Sequence, residues 1–116
     1  MILDDIGYFV YFITDNANAM KIGKSRNPWR RLRQLQANNS NNLEILTVFA
    51  LDSKKEMDLL EKQFHKYFDK CKLHGEWFKY DDVIDWLHNI HKLDGFEFGG
   101  HELSDKEWKD YVYDYL

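Results

Sequence analysis

One cysteine and one proline occur in 116 residues, and no apolar run comes near the roughly 18 residues that a membrane-spanning helix needs. With a single cysteine, Cys71, no internal disulfide framework or cysteine-rich zinc site is possible, and the thiol reads as core in a reducing compartment. The opening MILDDIG carries aspartates where a secretory signal would carry basic residues. The expectation is a soluble, cytoplasmic protein with no membrane partner. His88 and His91 stand three apart on a helical pattern, but lack cysteine or carboxylate companions at metal-site spacing, so they read as a surface pair.

What is present is enough for one core. Hydrophobic residues make up 44% of the chain and aromatics 16%, which excludes wholesale disorder and supports one compact domain. A net charge of −4 argues at first against a phosphate-rich partner. The average conceals an asymmetry: residues 93–116 carry seven acids and two lysines, whereas residues 1–92 sum to +1. Within residues 21–33, Lys21, Lys24, Arg26, Arg30, Arg31 and Arg33 are interrupted by no acid. Such a cluster alone reads as a solvated helix face, so any binding role needs further support.

Pattern and turn chemistry set the element order. YFVYFIT (8–14) is aromatic and β-branched, the turn formers Asp15 to Asn18 follow, and AMKIGKS (19–25) completes a β-hairpin. Asn27 as N-cap and Pro28 at the first position open a helix that ends at the Asn38–Asn42 loop. LEILTVFAL (43–51) reads as a third strand, and Ser53 with Glu56 forms a capping box for a helix running to about Cys71. A short extended piece at 76–79 precedes a helix from Asp81 to about His91. After Leu93, three glycines loosen the chain, and Ser104 with Glu107 caps a last helix bearing Trp108, Tyr111, Val112 and Tyr115. The chain is therefore α+β, ordered β-β-α-β-α-α with an extra C-terminal helix. Residues 1–92 form the main domain and 93–116 an acidic appendage.

Helical geometry then singles out two side chains. In the basic helix, Trp29, Leu32 and Leu35 define the buried stripe, Arg30 points nearly opposite, and Arg31 lies on the flank beside Leu35. A guanidinium there suits a phosphate, because its planar fork donates two parallel hydrogen bonds. In the longer helix, Met57, Leu60, Phe64, Phe68 and Cys71 centre the apolar face, and Glu61 falls about 70° from that centre. His65 follows one turn later on the same flank. From this helix alone, Glu61 reads equally as a boundary glutamate paired with a lysine or as a metal ligand.

Together, Phe9-Val10-Tyr11, a turn, Lys21-Ile22-Gly23, Ser25, Asn27-Pro28, Arg31-Leu32, Glu61-Lys-Gln-Phe-His65 and Gly75-Glu76-Trp77-Phe78 resemble the GIY-YIG nuclease superfamily, specifically its phage-associated branch with a KIG second motif and GEWF. The resemblance covers roughly residues 8 to 90 and rests on order and spacing, since each tripeptide alone is weak. It implies a three-stranded antiparallel sheet flanked by helices, and one divalent ion, Mg²⁺ or Mn²⁺, bound by Glu61. It also implies Tyr11 as acceptor of the attacking water's proton and Arg31 on the scissile phosphate. Lys21 takes the place of the family's second tyrosine; it is expected on the phosphate beside Arg31, and its charge on the paired strand could also favour the Tyr11 phenolate. Lys24, Arg26, Arg30 and Arg33 are then expected as contacts to the nucleic-acid backbone, DNA before RNA.

Two departures stand out. Leu35 holds the place of a histidine found one turn after the arginine in many members, leaving His65 or His74 as substitutes, and Phe9 replaces the first motif's glycine. The functional expectation is a metal-dependent endonuclease. A catalytically silent nucleic-acid-binding module on the same fold is the alternative, as is a regulatory protein whose acidic C-terminal helix docks a partner or covers the basic groove.

Overall fold

A computed structural model describes residues 5–88 and 101–103 of the chain. Tyr8–Thr14 forms β1 and Ala19–Ser25 forms β2, paired antiparallel from Phe9↔Ser25 to Thr14↔Met20. Asp15 closes the turn, its Oδ1 accepting the backbone N–H groups of Ala17, Asn18 and Ala19, while Asn16 takes a φ of 58°, a left-handed conformation that asparagine tolerates. The basic helix, α1, spans Pro28–Ala37, and β3 spans Glu44–Leu51 on the other side of β1. Helix α2 covers Lys54–Tyr67. A single 3₁₀ turn, Asp69–Cys71, leads into β4 (Lys72–His74), then β5 (Trp77–Lys79) and α3 (Tyr80–His88). β6, His101–Leu103, pairs antiparallel with β3.

The class is α+β, with three α-helices among the described residues packed on one antiparallel sheet. That sheet is broader than the three strands expected: its order is β4-β5-β2-β1-β3-β6. Two of the three additions have a simple cause. The last turn of the expected long helix, from Phe68 to Cys71, leaves the helix as a 3₁₀ turn, the residues just beyond it form the short β4, and the extended piece before α3 adds to β2 as β5. The segment after Leu93 also contributes β6 to the sheet's far edge. The helix expected after Ser104 lies outside the described residues, as does His91.

Both expected caps are present. The Asn27 side chain accepts from the Arg30 N–H and the Ser53 hydroxyl from the Glu56 N–H, while Glu56 reaches back to the N–H of Asp52, one residue before the cap. The sheet is covered on both faces. Val10, Phe12, Met20, Ile22, Phe49 and Leu51 meet Leu60 and Phe64 of α2 and Trp86 of α3. On the opposite face, Phe9, Tyr11, Ile13, Ile45 and Val48 meet Trp29, Leu32 and Leu35 of α1. Ile45 and Val48 share a face although three residues apart, because the β1–β3 register shifts between Phe12 and Ile13 and Leu46 is the extra residue. Among the described residues no helix is long and apolar enough to cross a membrane.

Candidate active site at the outer edge of β2

The site begins where a strand stops. β5 pairs with β2 only over Ala19 to Lys21, so beyond that point the outer edge of β2 loses its partner. Ile22, the next residue, still satisfies both main-chain groups on that side: its N–H donates to Glu76 O at 3.0 Å, and its carbonyl lies 2.7 Å from His65 Nε2. A carbonyl can only accept, so Nε2 carries a proton, and in the neutral ring the lone pair is then on Nδ1. The imidazole thus occupies the rung that a longer β5 would have filled. Its ring packs edge-on against Phe78 at 5.2 Å.

Glu61, His65 and Glu76 converge at this notch, each offering one ligand atom, all within 4.8 Å of one another. Two lysines partly compensate the carboxylates. Lys21 Nζ is 3.1 Å from Glu76 Oε2 and 5.6 Å from the centre of the Trp77 ring, and only 9% of its side chain is exposed. Lys24 Nζ stands 2.9 Å from Asp58 Oδ1 and 3.9 Å from Glu61 Oε1. The other oxygen of Glu61, Oε2, is buried without a hydrogen-bond partner. Burial raises the Glu61 carboxyl above its ordinary range, and the neighbouring Glu76 raises it further. Asp58, bonded to Lys54 and Lys24, is held below the ordinary aspartate range.

Tyr11 arrives from the other face of the sheet. It pairs across with Gly23, and a methyl group at Gly23 would stand 2.5 Å from Tyr11 Cζ, so the KIG glycine is the surface over which the phenol lies. Burial pushes the hydroxyl up to about 12; the carboxylates of Glu76 and Glu61 add to this, and a hydrogen bond from Arg31 opposes it. The positive charge beside the phenol is therefore Arg31, whereas Lys21, expected in that role, is committed to Glu76. Arg31 Nη1 also donates to Gln34 Oε1 at 3.3 Å. The expected contrast between the two arginines is reversed in exposure: Arg31 is exposed and Arg30 half-buried.

The remaining basic residues do not form one free patch. Arg26 is spent locally, with Nε donating to Gly7 O at 2.6 Å and its guanidinium 4.1 Å from the Tyr8 ring centre. Lys24 sits among acids, and Arg33 is exposed on α1. Leu35 packs in the core on the α1 face. His74 is exposed on β4 and stands outside the Glu61–His65–Glu76 group. Glu76 was not singled out by sequence beyond the GEWF motif; the signal available was a glutamate set directly before a Trp-Phe strand.

The donor set fits a hard or borderline divalent ion. Two carboxylates and an imidazole lie within reach of one centre, and a buried carboxylate oxygen has no protein donor to satisfy it.

An α+β domain that gathers a three-donor cluster and a tyrosine–arginine pair at one strand edge is thus defined. The chain belongs to the T5orf172 domain family, a phage-associated family that matches residues 8–92. No curated protein and no solved structure matches it.

Proposed function

We propose that the protein is a metal-dependent phosphodiesterase of the GIY-YIG type that cuts nucleic acid, with DNA as the first substrate to test. The observation that carries this is the convergence of Glu61, His65 and Glu76 at the β2 edge, beside a phenol that already accepts a hydrogen bond from an arginine. Membership of a phage-associated family and the motif order of the chain support the same reading.

Phosphodiester hydrolysis needs an activated water, charge neutralisation on the nonbridging oxygens and protonation of the leaving oxygen. Glu61 would hold the ion, which would supply Lewis acidity at a phosphate oxygen and offset the carboxylate charge that adds to burial in keeping Tyr11 protonated. Tyr11 would take the water's proton as a phenolate, its own proton having first passed to solvent, a loss that burial opposes and that Arg31 and the ion's charge would favour; Arg31 would also present a fork to the phosphate. Lys21 acts here by orienting Glu76, since its ammonium is already engaged. Arg30 and Arg33 on α1 would track the nucleic-acid backbone.

Supercoiled plasmid, linear duplex and RNA, each with Mg²⁺ or Mn²⁺, test the reading. Native protein should cut at least one, and Glu61→Ala and Arg31→Ala should lower the rate by about a hundredfold or more. If native protein and both variants behave alike on every substrate, the reading fails. Retention of nucleic acid without cleavage by the native protein would instead make it a silent binding module.

A further inference from the structure

The family resemblance assigns the metal to one glutamate, yet the notch beside β2 brings together three donors. We propose that Glu61, Glu76 and Nδ1 of His65 form a single three-ligand centre that selects a first-row transition dication such as Mn²⁺ over Mg²⁺. The inference rests on the location of the site proposed above, but does not depend on the chemistry performed there.

Three features point to it. The carboxylates belong to different elements, one in α2 and one in the turn before β5, yet they come with the imidazole within 4.8 Å. Two carboxylates so placed repel unless a cation lies between them. The lysines do not fill that role: Lys21 contacts one oxygen of Glu76, Lys24 approaches Oε1 of Glu61, and Glu61 Oε2 is buried without a partner. Finally, the tertiary structure has fixed the tautomer of His65. Its Nε2–H is held by Ile22 O, the main-chain anchor typical of metal-binding histidines, so the nitrogen that a neutral ring offers to an ion is Nδ1.

Selectivity follows from the donor types. Mg²⁺ prefers oxygen ligands and retains several waters, so an imidazole adds little to its affinity. First-row transition ions accept imidazole nitrogen readily, so His65 gives them an advantage that two carboxylates alone would not.

Direct binding of Mn²⁺ and of Mg²⁺ to the full chain, by calorimetry and by the Mn²⁺ electron paramagnetic resonance signal, tests this without any nuclease assay. One Mn²⁺ should bind at least about tenfold more tightly than Mg²⁺. His65→Gln, whose amide can still donate to Ile22 O, should erase most of that preference while Mg²⁺ affinity changes little. Glu76→Gln should weaken both ions by about tenfold or more. Thermal melts without metal establish that each variant is folded, and Glu76→Asp provides a second carboxylate probe should the Gln variant not fold. Equal affinity of native protein for the two ions, failure of native protein to bind Mn²⁺, or variants that bind Mn²⁺ as native protein does would overturn the centre. Plasmid cleavage alongside an overturned centre would leave the nuclease reading standing on Glu61 alone. A confirmed centre without cleavage would remove the nuclease reading and keep the metal site.

Discussion

Gly23 and Tyr11 behave as one unit, because the phenol lies where the glycine lacks a side chain. Tyr11 is 1% exposed and its neighbours are packed, so the ring has nowhere to move when a methyl group is added. Gly23→Ala should therefore destabilise the protein by about 1–3 kcal/mol in urea denaturation, and the loss should shrink in a Tyr11→Ala background. An unchanged midpoint would show that the ring is not held there. The same burial sets the titration of the phenol. Its folded value of about 12 lies above the ordinary 10.0, so the stability it contributes is intact below pH 10 and is lost as pH rises through 12. In metal-free protein, the absorbance difference at alkaline pH between native chain and Tyr11→Phe should place this ionisation near 12; a midpoint near 10 would contradict the burial argument.

Elements matter here chiefly through where they begin. β5 begins only at Trp77, opposite Lys21, and the uncovered rung at Ile22 is taken by His65 from α2 and by the main chain of Glu76. Had β5 begun two residues earlier, the imidazole would have no place at the strand edge. Helix α1 contributes by its start: Asn27 caps it, and Arg31 follows one turn later, against Tyr11. Asn27→Ala should cost about 1 kcal/mol of stability and loosen the placement of Arg31. Calorimetric melting reads the first effect; a melting temperature equal to that of native protein would show that the cap contributes nothing.

At the scale of the molecule, the charge distribution governs any nucleic-acid partner. Residues 104–116 carry four acids and two lysines, and their removal leaves β6, His101–Leu103, in the sheet. On the proposed function, that truncation should tighten binding to duplex DNA at low salt, because a net negative charge that would repel phosphates is taken away. Equal affinity for truncated and full-length chains would rule out a charge-masking role. On the opposite account, Arg33→Ala should weaken binding uniformly across sequences and reduce the slope of log affinity against log salt by about one. A slope unchanged from native protein would exclude Arg33 from the phosphate contacts.

Local chemistry was legible in the chain itself. Aromatic and β-branched content between turn formers marked β1 to β3, Asn27-Pro28 and Ser53 fixed the helix starts, and the position of Glu61 and His65 beside an apolar stripe marked them as boundary groups. These are properties of neighbours in sequence, and local sterics and hydrogen bonding suffice to decide them. Which oxygen lacks a donor, which lysine is already paired and which ring lies over Gly23 depend on groups far apart in the chain: Lys21 meets Glu76 across 55 positions and Ile22 meets His65 across 43. Glu76 escaped notice because a turn has no periodicity to betray a facing side chain. The short β4, just beyond the expected end of α2, had no signal of its own because three residues carry too little pattern. The sequence by itself determined the three central strands, the caps and the types of donor; only tertiary pairing, by starting β5 no earlier than opposite Lys21, decided that those donors meet at one edge.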